Sequence, residues 1–150
     1  VVLTLSFRRA SLKVKKTLVV SRDLQTSEIF CTNREQVLEN ISFEPLNYAT
    51  LELYSQIHNI SVVINSTPVG MYDSNSPLSE NFIKRLNKEV LVYDLIYNPP
   101  KTKLLDFAEK NNLKILNGKS MLINQAGKAF ELWTETKFPY DYINKLTLSF

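Results

Sequence analysis

The chain has 150 residues, of which 44% are hydrophobic and 22% are charged, and its formal net charge is +3. This length predicts one globular domain, and the small, scattered positive charge does not indicate a nucleic-acid partner. The single Cys31 excludes an internal disulfide, and the single His58 excludes a multi-histidine metal site. Because the sequence has no apolar run of about 18 residues, we expect a cytoplasmic protein with no membrane partner.

Short apolar runs predict the strands of a sheet. Residues 1–13 come first, and their mixed pattern fits either a helix or a strand that enters a helix. The runs that follow are near-continuous rather than alternating, which is typical of strands buried on both faces of a parallel sheet. They lie at residues 17–20, 41–46, 61–64, 90–93 and 113–116.

Helices are predicted between these runs. Leu104, Leu105 and Ala108 form one apolar stripe in the third of them. The four stretches are residues 47–56, 77–86, 102–112 and 120–136. Alternating strands and helices predict an α/β domain with right-handed crossovers, in which ligands bind outside the carboxyl ends of the strands.

Polar residues follow the strand predicted at residues 17–20. An acidic residue at this place commonly binds the ribose hydroxyls of NAD, whereas an arginine accommodates the 2′-phosphate of NADP. Ser21, Arg22 and Asp23 supply both residue types, and the guanidinium of Arg22 suits a phosphate. The alternative is a solvated Arg22 beside a helix cap at Asp23.

The run at residues 61–64 ends in NSTPVGM, residues 65–71. Pro68 stops the hydrogen-bonding ladder, and Gly70 permits a ligand or a neighbouring loop to come close. This segment is either part of a binding crevice or an ordinary turn between a strand and a loop.

Two further residues are candidate ligand contacts. Tyr97 follows Asp94 at the next strand end, and its hydroxyl either binds a polar ligand or points to water. Gln125 lies four residues after Met121, so we expect it on the buried side of the last helix, where its amide contacts a ligand or makes a packing hydrogen bond.

The glycines restrict the type of nucleotide site. Gly70, Gly118 and Gly127 are the only three, and no two are close in sequence. A glycine-rich dinucleotide loop or a P-loop therefore cannot form within these 150 residues. If the fold binds a nucleotide, we expect its pyrophosphate loop to lie before the first residue.

Four separate blocks, in this order, resemble shikimate dehydrogenase. They are NSTPVGM at 65–71, DLIYNP at 94–99, NGKSML at 117–122 and the segment 125–133. The resemblance implies a Rossmann-like, three-layer NADP-binding domain with a mostly parallel sheet over residues 1–150. It implies that the first strand and glycine-rich loop are missing, that residues 1–13 form the helix after that loop, and that a helical segment from about residue 119 packs back toward a substrate domain.

The same resemblance implies a reaction and a set of contacts. The reaction is the reversible, NADPH-dependent reduction of 3-dehydroshikimate to shikimate in aromatic amino acid biosynthesis, without a metal. The implied cofactor contacts are Ser21, Arg22 and Asp23 at the adenosine 2′-phosphate, Ser66 and Thr67 along the cofactor, and Leu95, Gly118 and Met121 around the nicotinamide. Tyr97 and Gln125 are the implied shikimate contacts.

Two departures from the family pattern bear on these expectations. Thr26 stands where the family often has a basic residue, with Asp23 before it, which weakens a strict preference for NADP. The family's catalytic lysine and aspartate belong to the substrate domain, so no catalytic residue is expected in this chain, and the isolated chain is expected to be inactive. The alternatives are a quinate/shikimate dehydrogenase that uses NAD and a non-catalytic module that binds a nucleotide or a protein.

Overall fold

The sheet of this protein has six strands in the order β3-β2-β1-β4-β5-β6. A computed structural model describes residues 3–8, 14–35 and 41–147. The strands are β1 Leu3–Arg8, β2 Val14–Ser21, β3 Ser42–Asn47, β4 Val62–Asn65, β5 Leu91–Asp94 and β6 Lys114–Leu116. The five apolar runs thus coincide with β2 to β6, and the prediction of an α/β fold with a mostly parallel sheet is confirmed.

The central strand differs from the expectation. Three strand pairs are parallel, namely β2–β3, β4–β5 and β5–β6, whereas β1 runs antiparallel to both β2 and β4. The helix that the resemblance implied for residues 1–13 is therefore wrong for Leu3–Arg8, which pairs as a strand, and residues 9–13 lie outside the described residues. The absence of the family's own parallel first strand and glycine loop stays a prediction.

Helices cover both faces of the sheet. They are α1 Leu24–Glu35, α2 Tyr48–Glu52, α3 Glu80–Lys84 and α4 Lys103–Lys110 in this part of the chain. Successive strand side chains point to opposite faces. Leu18 and Val20 accordingly pack in the large core with α2, α3 and α4, while Val19 packs against Cys31 and Phe30 of α1. The predicted three-layer arrangement follows from this alternation.

The helices agree with the sequence-based predictions to different degrees. In α4 the predicted stripe is buried, and Thr102 caps the helix by accepting a hydrogen bond from Leu105 N at 3.4 Å. The predicted helices at 47–56 and 77–86 are reduced to the short α2 and α3. Helix α1 was not among the predicted helices, because its sequence, LQTSEIFCTNRE, carries no regular apolar stripe.

The chain divides into two compact units, residues 1–117 and residues 118–150. The second unit contains α5 Lys119–Thr134 and α6 Tyr140–Thr147. A Cβ added to Gly127 of α5 would lie 2.5 Å from the Tyr140 hydroxyl oxygen, so glycine permits this close helix approach. Phe138 packs edge-to-face against Phe130 and Tyr140. The single-domain boundary and the docking of this segment on a substrate domain stay predictions.

Candidate nucleotide-binding site

The carboxyl ends of the parallel strands meet at one edge of the sheet. Leu3 of β1 pairs with both Val20 and Asn65, which places the ends of β2 and β4 at the same edge of the sheet, on either side of β1. Ser21 pairs with Asn47 at the end of β3, and Asn65 pairs with Asp94 at the end of β5. This is the edge at which ligands bind in open α/β sheets.

A cavity of about 540 Å³ opens at this edge within the first unit. Its size lies in the range of small-molecule sites, about 300–1,000 Å³. Three segments that are distant in sequence form its walls, following β2, β3 and β4. The lining residues are Ser21, Arg22, Asp23, Thr26, Tyr48, Thr67, Pro68, Val69, Ser76 and Pro77. The structure therefore brings four of the predicted cofactor residues, Ser21, Arg22, Asp23 and Thr67, into one cavity.

Two charged residues at the mouth of this cavity have different surroundings. Asp23 caps α1: its carboxylate accepts hydrogen bonds from Gln25 N at 3.3 Å, from Thr26 N at 3.2 Å and from Thr26 Oγ1 at 3.0 Å. Arg22 is exposed and lines the cavity. The helix cap that the sequence offered as an alternative is thus present at Asp23, and Arg22 is the cationic side chain of the cavity wall.

The buried serines beneath these residues fix the end of β2. Ser27 Oγ donates to the Leu46 carbonyl oxygen at 2.9 Å and contacts Ser21 Oγ at 2.9 Å. Ser21 Oγ in turn donates to the Asp23 carbonyl oxygen. Ser21 therefore shapes the turn that presents Arg22, and Ser27 ties that turn to β3.

Tyr48 is a cavity residue that sequence reasoning missed. It begins α2, directly after the Asn47 cap, whose Oδ1 accepts from Thr50 N at 2.9 Å. Burial raises the pKa of the Tyr48 hydroxyl, and the nearby Arg22 guanidinium opposes that rise. No local motif marks Tyr48, because it joins the cavity only through the pairing of β3 with β2.

The loop after β4 is held by Asn65, which is fully buried. Its Oδ1 accepts from Thr67 N at 3.0 Å and from Thr67 Oγ1 at 2.7 Å. Gly70 adopts φ +94°, and a Cβ there would lie 3.2 Å from the Asn75 carbonyl oxygen. A neighbouring loop segment thus approaches Gly70, as the sequence allowed. Ser66 is exposed and next to the cavity residue Thr67.

The loop after β5 begins at Asp94, whose side chain is fully buried. Leu95 is half-buried, and its N–H donates to the Asn65 carbonyl oxygen at 3.0 Å. Tyr97 is 46% exposed. Its hydroxyl is therefore available to a ligand at this edge, although Tyr97 and Leu95 do not line the 540 Å³ cavity.

The other predicted contacts belong to the second unit. Gly118 precedes α5 and is buried, and its carbonyl oxygen accepts from Leu122 N at 3.0 Å. Met121 and Gln125 lie one helical turn apart on α5 and are both exposed. The expectation that Gln125 is buried is wrong for this unit, because the surrounding residues of α5 and α6 do not cover it.

Metal-ion clusters and membrane-spanning helices are absent from the described residues. Within residues 3–8, 14–35 and 41–147, the acidic, cysteine and histidine side chains form no group of three that could hold a metal ion. No helix within those ranges is long and apolar enough to cross a membrane.

Sequence comparison finds relatives that are named shikimate dehydrogenase (NADP(+)). A shikimate dehydrogenase (NADP(+)) of Caldanaerobacter subterraneus subsp. tengcongensis is 37% identical over 132 residues, which is 87% of this chain and 45% of the relative. One from Methanococcus maripaludis strain C7 is 32% identical over 131 residues, again 87% and 45%. The chain therefore spans about half the length of the relatives it matches. No family model matches the chain.

Solved structures agree with the sequence comparison. Shikimate 5-dehydrogenase from Listeria monocytogenes, in complex with shikimate and NAD, matches with a TM-score of 0.77 and 29% identity over 89% of this chain and 47% of that one. Quinate dehydrogenase from Corynebacterium glutamicum, in complex with NAD, has a TM-score of 0.76 and 25% identity over 91% and 47%. The resemblance inferred from the four sequence blocks is confirmed.

Proposed function

We propose that this chain, which is related to the shikimate dehydrogenases over about half of their length, forms the NADP(H)-binding part of such an enzyme. The proposed reaction is the reversible reduction of 3-dehydroshikimate to shikimate. When bound, the cofactor supplies the hydride, and the protein binds and orients it. The observation that carries the proposal is the position of Arg22 at the end of β2, on the wall of the 540 Å³ cavity.

The cavity suits the adenosine 2′-phosphate end of NADP. Arg22 offers a planar set of N–H donors to a phosphate, and the Asp23 carboxylate is engaged in capping α1. Thr67 and the aromatic ring of Tyr48 line the same cavity. Engagement of Asp23 in the cap favours NADP over NAD, because a ribose hydroxyl would compete with helix N–H groups for that carboxylate.

The remaining contacts follow the expectations from the resemblance. Ser66 and Leu95 would lie along the cofactor, with Gly118 and Met121 of the second unit around the nicotinamide. Tyr97 and Gln125 would bind shikimate, and their exposure in the described units leaves both side chains accessible. These assignments depend on the relation to the family and on the polar ends of β4 and β5.

A pair of nucleotides isolates the role of Arg22. 2′,5′-ADP and 5′-AMP differ by the 2′-phosphate, and calorimetric titration of the chain with each measures its contribution. A charge-assisted hydrogen bond contributes about 1.5–3 kcal/mol, so we expect roughly 10- to 150-fold tighter binding of 2′,5′-ADP. Arg22→Ala should remove that difference, whereas Arg34→Ala, at an exposed arginine near the end of α1, should preserve it. Equal affinities of the parent chain for both nucleotides would contradict the proposal.

Turnover provides a separate test. The 150 residues contain no glycine-rich loop, which supplies the backbone N–H groups that bind a pyrophosphate. We therefore expect the chain alone to bind 2′,5′-ADP without oxidising shikimate in the presence of NADP+. NADPH formation by the chain alone, followed by absorbance, would contradict this part of the proposal.

A second candidate is a quinate/shikimate dehydrogenase that uses NAD. The likeness to the NAD complex of quinate dehydrogenase favours it. Under this alternative, NAD+ binds as tightly as NADP+, and Arg22→Ala leaves both affinities unchanged. The nucleotide titrations thus separate the two candidates.

A further inference from the structure

A group of buried polar side chains connects the ends of β4 and β5. We call Asn65, Thr67, Asp94 and Thr102 the Asp94 network. Asn65 and Asp94 are 0% exposed, and Thr102 is 2% exposed. Every buried side-chain nitrogen and oxygen in the described residues has a hydrogen-bond partner, so this network is fully satisfied.

Asp94 is the centre of the network. Its Oδ1 accepts from Asn65 Nδ2 at 3.0 Å and from Ile96 N at 3.1 Å, and its Oδ2 accepts from Thr102 Oγ1 at 2.6 Å. Burial raises the pKa of the Asp94 carboxyl, and the three hydrogen bonds oppose that rise. Among the described residues no ion pair includes Asp94. Its carboxylate is therefore held by hydrogen-bond donors rather than by a cation.

These donors belong to separate segments. Asn65 ends β4 and also shapes the loop that carries Ser66 and Thr67, through its own bonds with Thr67. Thr102 precedes α4, so its bond to Asp94 closes the base of the loop at residues 94–102. Both loops are thereby attached to one carboxylate.

The two attached loops have different proposed ligands. Residues 65–71 face the cofactor, and residues 94–102 carry Tyr97, which faces the substrate. A difference in the direction of the Asp94 side chain would displace both loops, because a buried carboxylate cannot give up one donor without a desolvation cost. A hydrophobic residue of equal size would fill the space and hold neither loop.

We propose that Asp94 is a positioning residue that sets the cofactor-facing loop and the substrate-facing loop in one common arrangement. This inference rests on the proposed function for the identity of the two ligands. Its structural content, the joint dependence of residues 65–71 and 94–102 on one side chain, is independent of which nucleotide binds.

The test combines amide hydrogen exchange with binding. In Asp94→Asn, peptides that cover residues 65–71 and 94–102 should both exchange about tenfold faster, since one charge-assisted hydrogen bond is weakened. Peptides from α1 and β2 should keep the parent rates, and the dissociation constant for NADPH, measured by its fluorescence, should rise several-fold. Asp106→Asn is the matched control, because Asp106 lies on the exposed side of α4, paired with Lys110.

A second pair of variants covers the case in which Asp94→Asn does not fold. Thr102→Val removes the hydroxyl and should reproduce the faster exchange in both loops, while Thr102→Ser keeps the hydroxyl and should restore the parent rates. Faster exchange in only one loop, or in all peptides equally, would overturn the proposal. If the parent chain binds 2′,5′-ADP and 5′-AMP equally, the proposed function fails, and the exchange rates alone still decide the role of Asp94.

Discussion

Replacing Asp23 with alanine tests whether this carboxylate serves α1 or a nucleotide. In the structure it accepts hydrogen bonds from two backbone N–H groups of the first helical turn, those of Gln25 and Thr26. An alanine leaves both N–H groups without a side-chain partner. It also removes a negative charge from the positive end of the helix dipole.

The expected magnitude follows from these contacts. Loss of an N-cap side chain costs about 1 kcal/mol, within a range of about 0.5–2 kcal/mol. For a chain of this size, each kcal/mol shifts the melting temperature by about 2–4 °C. We therefore expect Asp23→Ala to lower the melting temperature by about 2–4 °C, measured by circular dichroism at pH 7.

Serine provides the matched control. Asp23→Ser keeps a capping oxygen but removes the charge, so it should melt close to the parent. Because the charge next to Arg22 is gone, 2′,5′-ADP should bind as tightly as before or more tightly. An unchanged melting temperature in Asp23→Ala, together with a weaker affinity for NAD+ in both variants, would refute the reasoning and assign Asp23 to the ribose.

Three further outcomes are expected. Burial raises the pKa of the Asp94 carboxyl above its value in the unfolded chain, so its contribution to stability is fully present below about pH 3.9 and is lost as the pH rises through the folded-state pKa. In urea unfolding, the stability of the parent relative to Asp94→Asn should therefore be greater at pH 4 than at pH 7. The reverse order would contradict the assigned direction of the pKa shift. Leu105→Ala should cost about 2–5 kcal/mol of unfolding free energy because Leu105 is buried in the large core, and a loss below about 1 kcal/mol would show that this site is loosely packed. Tyr97→Phe and Gln125→Ala, in the complete enzyme, should weaken shikimate turnover while NADPH affinity and melting temperature stay near the parent values; a lower melting temperature with unchanged substrate constants would assign the residue to packing.

The parallel strands were predictable because their side chains are buried on both faces. Val19 and Val20 point to opposite faces of the sheet and are both fully buried, which requires an uninterrupted apolar run. The polar residues after each run then marked the binding edge and singled out Arg22, whereas Thr67 was assigned to the cofactor through the resemblance to shikimate dehydrogenase.

Other features depend on contacts between distant segments. Helix α1 has few apolar residues and is placed by packing of Phe30 and Cys31 on Val19, so its own sequence shows no stripe. Tyr48 reaches the cavity only because β3 pairs with β2. The antiparallel course of β1 is likewise set by its two neighbours rather than by its local pattern.

The position of β1 has a mechanical consequence. Among the described residues, β2 and β3 on one side and β4, β5 and β6 on the other are joined in the sheet through β1 alone. A force along β1 would load the hydrogen bonds on both of its sides together, and its withdrawal would separate the sheet into a two-stranded and a three-stranded part. Leu3–Arg8 is therefore the place where a tether, a fused partner or a short deletion acts on both halves of the molecule at once.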